Sequence, residues 1–156
     1  MDVCRVLGGL DAGGRAEAWA GIGRNAPLFC AWCVSAAGAC VGFLVFLISF
    51  CLLDKDAGAR AAPTCFALVD VPVAFFLGFS ALYAPLLYFG QRTLVMLVLV
   101  GAAASAAVLA YCAHALFGPS HPAFGFTVVL AVHCLVMDVG VWGVSWLNHI
   151  DSVDIV

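Results

Sequence analysis

Charge is scarce in this chain. Of 156 residues, 6 are Lys or Arg and 9 are Asp or Glu, 10% in all. A water-soluble domain carries about 25%. With 65% of its residues hydrophobic, a chain of this length cannot hide its apolar surface from water, so its solvent is expected to be lipid. A basic field is also missing. The formal net charge is −3, which speaks against the phosphate-neutralising surface that nucleic acid needs. The sequence lacks an N-x-[ST] acceptor, a phosphate-binding glycine loop, an HExxH and a nucleophile–base–acid set. Its polar segments are too short to hold a catalytic domain. An enzyme is therefore the weaker reading, and no cofactor or metal is expected.

What is present is long apolar runs. Leu28 to Leu53 has no charge, Cys65 to Gly90 has only Asp70, Leu94 to Phe117 has only His114, and Ala123 to Leu147 has His133 and Asp138. A membrane-spanning helix needs about 20 apolar residues, so four spans are expected, at about 28–53, 65–90, 94–117 and 123–147. The breaks are polar or rich in turn residues: DKDAGARAAPT (54–64), QRT (91–93) and GPSHP (118–122). Short connections make neighbouring helices antiparallel. The expected fold is an all-α antiparallel four-helix transmembrane bundle over 27–149. Residues 1–26 read as a flexible cytosolic tail and 150–156 as a short C-terminal one. The N-terminal acids Asp2, Asp11 and Glu17 and the late, long apolar run do not suit a transit or signal peptide.

Positive charge stays on the cytosolic side. The two ends and the 91–93 turn carry Arg5, Arg15, Arg24 and Arg92, whereas the other side carries Lys55 and Arg60. Both termini are thus expected in the cytosol. Lipid gives helices little hydrophobic reason to associate, so small residues must allow close packing. Candidates are Gly38 and Gly42 in the first span, Gly101 and Ser105 in the third, and Gly140 and Gly143 in the fourth.

Ionisable side chains inside a bilayer are costly and are candidates for function. At 1.5 Å per residue, Asp70 lies about 8 Å and His114 about 5 Å below the outer ends of their spans. A direct Asp70–His114 pair is expected, with His121 nearby. His133 and Asp138, in AVHCLVMDVGVW (131–142), sit five apart. On an α-helix that is a net rotation of roughly 140°, so they are expected on different faces, unable to form one site. Asp138 can then be held as the neutral acid, donating to a backbone or tyrosine oxygen, Tyr83 being one candidate.

Cysteines inside apolar runs act as small hydrophobes. Cys30 and Cys33, in FCAWC, make one C-x-x-C with no second to close a zinc site. At a cytosolic membrane edge their functional reading is lipidation. Cys51 and Cys65 flank the 54–64 connection and can pair as a disulfide if that side is oxidising.

HCLVMDVG is similar to the His and Asp-Gly stretch of the cytochrome b anchors of succinate dehydrogenases. It lacks that family's arginine beside the histidine, and its spacing is one residue longer. The alanine-rich third run ending in YCAH, within a four-span layout, resembles scaffold families such as MARVEL and CASP-like proteins. The charged residues of the CASP-like spans stand in other helices here. The resemblances imply, respectively, a haem- or quinone-binding subunit and a scaffold.

The residues themselves support two functional classes. One is a scaffold or accessory subunit in contact with the bilayer and with other membrane proteins or further copies of itself. The other is a small transporter, or a haem- or quinone-binding subunit, built on Asp70, His114, His133 and Asp138.

Overall fold

The computed structural model describes residues 26–57, 63–88 and 91–151, with side-chain detail for 27–52, 69–83, 85–86, 91 and 93–148. The tails expected over 1–26 and 150–156 lie almost wholly outside these residues. The described chain is helical, with no strand. Its elements are α1 (Ala26–Ala57), α2 (Pro63–Tyr88), α3 (Arg92–Phe117), α4 (Pro122–Val132), a π-helical segment (His133–Gly143) and α5 (Val144–Asp151). The last three run on without a break as one rod.

Local chemistry sets the ends. Pro122 occupies the first position of α4, where a missing N–H costs nothing. His121 caps it, its Nδ1 accepting from the Ala123 N–H at 3.1 Å. Gly118 turns the chain out of α3 at φ +81°, a conformation that suits glycine. α2 carries Pro72 and Pro85 inside it and remains helical through both.

Three helices are long and apolar enough to cross a membrane: Pro27–Leu52, Thr93–Phe117 and Pro122–Asn148, of 26, 25 and 27 residues. In α2 the apolar stretch among the described residues is the shorter Val69–Tyr83. α3 is the most buried of the three long helices. It packs against α2 on one side and against the last rod on the other, and α1 packs against α4.

The slenderness of α3 makes its central position possible. Ala103, Ala106, Ala110 and Ala113 are buried along it. One apolar cluster surrounds Phe46, Leu109, Leu130 and Val69. A second gathers Val95, Leu99, Trp142 and Trp146, with Tyr83 packed against it. α1 and α2 meet through large side chains, the rings of Phe43 and Phe76 lying 5.1 Å apart.

Candidate functional site

The seam between α1 and the last rod is antiparallel and can be followed residue by residue. A Cβ added at Gly42 would run into the carbonyl oxygen of Phe126, and one at Gly38 would meet Val129 Cγ1 at 3.6 Å. One turn further, Ser35 Oγ stands 2.9 Å from His133 Nδ1. Next, the Trp32 indole N–H donates to Asp138 Oδ1 at 3.1 Å. Ser35 and Trp32, three apart on α1, share a face. They meet His133 and Asp138, five apart on the rod.

That mismatch is resolved by the π-helix. An i→i+5 ladder brings residues five apart onto one face, as the α-helix does for residues four apart. His133 Nε2 accordingly lies 3.4 Å from Asp138 Oδ1. The expectation that these two residues face apart is therefore wrong, because it assumed α-helical rotation. Gly140 shows the same geometry: its nearest contact is the carbonyl oxygen of Leu135, five residues back, at 3.5 Å. Val139, Gly140, Val141 and Gly143 are weak α-helix formers, which lowers the cost of leaving the α ladder there.

The group is satisfied from within. His133 Nε2 stands 3.4 Å from the Asp138 carboxyl, and Nδ1 shares a hydrogen bond with the Ser35 hydroxyl, whose direction is set by the imidazole tautomer. His133 is buried, and its ring lies 5.9 Å from that of Trp32. Cys134, also buried, brings its thiol to the same carboxylate. The sequence leads one to expect Asp138 to donate to a backbone or tyrosine oxygen such as that of Tyr83; instead it accepts from Trp32, and the Tyr83 ring meets Trp142 edge-on at 5.3 Å. Both ring nitrogens of His133 are engaged. No cluster of three or more His, Cys, Asp or Glu that could hold a metal ion occurs among the described residues.

The other pair expected is not formed. Asp70 and His114 are both exposed, and no hydrogen bond or ion pair joins them. The reason is register. Phe79 packs on Gly101, with ring carbons 2.7 Å from where a Cβ would stand. Nine residues along each antiparallel helix from that contact, Asp70 comes level with Ala110, and His114 lies a turn further out. The His114 ring packs edge-on against Phe124 at 5.1 Å, and His121 stacks on Phe117 at 4.8 Å.

Of the remaining candidates, Ser105 is buried and donates to the Gly101 carbonyl at 2.8 Å. Gly143 lies under Met96, whose Sδ is 2.9 Å from a Cβ position there. Cys30 and Cys33 are exposed free thiols near the start of α1. Cys51 is an exposed thiol near the end of the same helix; the Cys65 side chain lies outside the described residues, and so does the Cys51–Cys65 pairing expected from the sequence. Cys51 lies within α1, which continues beyond it to Ala57.

Trp32 and Ser35 did not emerge from the sequence. Their signal was present: a donor and a hydroxyl at i, i+3 in an uncharged span, a pattern that reads as packing until the facing helix is placed. No protein-family model, no curated protein and no solved structure matches the chain. The resemblances to the succinate dehydrogenase anchor and to the four-span scaffolds gain no support from those comparisons.

Proposed function

We propose that the chain is a four-span membrane protein, an antiparallel bundle with both termini in the cytosol. Its role is that of a scaffold or accessory subunit packing against other membrane proteins. The observation that carries this reading is the apolar surface turned outward by every long helix. Val34, Leu44 and Ile48 on α1, Val71 and Phe75 on α2, and Leu97 and Tyr111 on α3 are all exposed. So are Val132 and Leu135 on the last rod. Such surface is at home against lipid or another protein and is a liability in water.

α2 supports the four-span reading by length. Its 26 residues extend about 39 Å, more than the roughly 30 Å of a bilayer's hydrocarbon core. Sidedness follows from the arginine excess at the termini and the 91–93 turn.

Affinity purification from membranes in mild detergent, followed by mass spectrometry, tests the role. A reproducible membrane-protein partner is the expected result, and a lone monomer would count against it. Glycosylation tags test the sidedness: a tag in the 54–64 connection should be modified and one at residue 5 should not.

The contact between the buried His133 and the half-buried Asp138 favours a second reading, a small transporter or a haem- or quinone-binding subunit. Haem ligation through His133 would require giving up the Ser35 or the Asp138 contact. A Soret band in the purified protein, lost in His133→Ala, is the result that would favour it.

A further inference from the structure

We propose that the outward face of α2, marked by Asp70, Ala74, Gly78 and Ala81, docks a membrane-spanning helix of another protein that carries an arginine or lysine level with Asp70. This rests on the accessory-subunit reading and names the surface through which it works. Residues 70, 74, 78 and 81 follow the i+4 and i+3 spacing of one helix face, and all four are exposed. The opposite side of α2 is turned inward, with Val69 and Pro72 buried and Val73 and Phe76 packed on the core.

Asp70 makes no hydrogen bond or ion pair with any described residue. It lies about 10 Å along α2 from Pro63. A carboxylate on a lipid-facing surface is costly unless paired, and membrane proteins pair such groups with opposite charge. The surface beside it is shaped for a helix. A Cβ at Gly78 would meet nothing within 4 Å, whereas Gly42 and Gly101 are each already covered by a neighbour. Phe75, Phe79 and Leu82 wall the shallow trough that has Ala74 and Gly78 in its floor. Small residues of this kind allow backbones to approach closely in lipid.

Charge selects the occupant. A second copy seated on this face about a twofold axis normal to the membrane would set two Asp70 carboxylates at one level, a like-charge arrangement. A helix with a basic side chain neutralises Asp70 instead. Where side chains are described, α1 over 27–52 and the last rod over 122–148 expose aliphatic and aromatic side chains, and the one carboxylate there, Asp138, already accepts from Trp32.

The test uses the full chain in phosphatidylcholine vesicles with a single-span leucine–alanine host helix, their association read by energy transfer. A host helix with one arginine level with Asp70 should bind about tenfold tighter than the same helix with leucine. Asp70→Asn should remove that preference and Asp70→Glu should keep it. Gly78→Ile, which points into open space and leaves the fold intact, should weaken binding of the arginine helix by a similar factor. Equal binding of the two host helices, or a preference that survives Asp70→Asn, overturns the proposal.

Photo-crosslinkers at positions 78 and 132 in native membranes separate this inference from the reading beneath it. Capture of another membrane protein at 78, lost in Asp70→Asn, supports both. Capture at 132 and not at 78 preserves the accessory-subunit reading and overturns the α2 face. Capture of a second copy at 78 irrespective of Asp70→Asn overturns it in favour of self-association. No protein captured at either position overturns both.

Discussion

His133 and Asp138 touch, Nε2 to Oδ1 at 3.4 Å, although five residues separate them. On the facing helix their partners Ser35 and Trp32 are three residues apart. Three α-helical residues rise about 4.5 Å, whereas five would rise about 7.5 Å. The wider π turn absorbs the difference. The polar group and the π segment are therefore one feature: if the rod reverted to α-helix, Asp138 would swing away from Trp32 and His133 together.

The contact should appear as coupling between the two side chains. In a double-mutant cycle of His133→Ala and Asp138→Asn, unfolding in mixed micelles should give an interaction energy of about 1–2 kcal/mol. Strict additivity of the two single variants would remove the pair as a structural unit.

Trp32 supplies the donor that the Asp138 carboxylate takes from α1. Trp32→Phe keeps most of the ring's bulk and deletes the indole N–H, leaving a half-buried acceptor short of one partner. The expected loss of stability is about 1 kcal/mol, the net worth of a part-buried hydrogen bond. In an Asp138→Leu background the same substitution should cost much less. An equal cost in both backgrounds would assign the effect to packing rather than to the hydrogen bond.

The long helices were legible because an uncharged run of membrane length has few alternatives, and Gly118 and Pro122 marked the last connection chemically. The polar site was legible in its residues but not in its geometry. His133 and Asp138 stood out by charge, yet an α-helical wheel separated them, and nothing in eleven mostly apolar residues announces a π ladder. The Asp70–His114 pair failed for a different reason. Depth counted from the ends of spans carries an error of a turn, and only the Phe79–Gly101 contact fixes how α2 and α3 slide past each other.

The α1–α4 seam offers a contrast within one helix. At Gly42 even a methyl group would collide with the backbone of Phe126, which cannot move aside as a side chain can. At Gly38 the nearest neighbour is a side-chain methyl of Val129 at ordinary contact distance. Gly42→Val should therefore destabilise the fold by about 1–3 kcal/mol, the range of an overpacked core. Gly38→Ala should be close to neutral. Thermal unfolding in one detergent reads both, and equal effects at the two positions would place the close approach elsewhere.

The cysteines divide by exposure, and their chemistry should follow. Cys30, Cys33, Cys40 and Cys51 are exposed free thiols, Cys112 is half-buried and Cys134 is buried. A maleimide should label Cys30 and Cys33, near the start of α1, in intact membranes and reach Cys134 only after unfolding. With Cys51 a free thiol, a Cys51→Ser variant should migrate like wild type with and without reductant. A mobility shift abolished by Cys51→Ser would show that the thiol does find a partner. Thioester-specific cleavage by hydroxylamine reads lipidation directly. Acyl groups released from wild type but not from Cys30→Ser/Cys33→Ser would place the modification at the start of α1, where a thiol facing the membrane edge is open to an acyl donor.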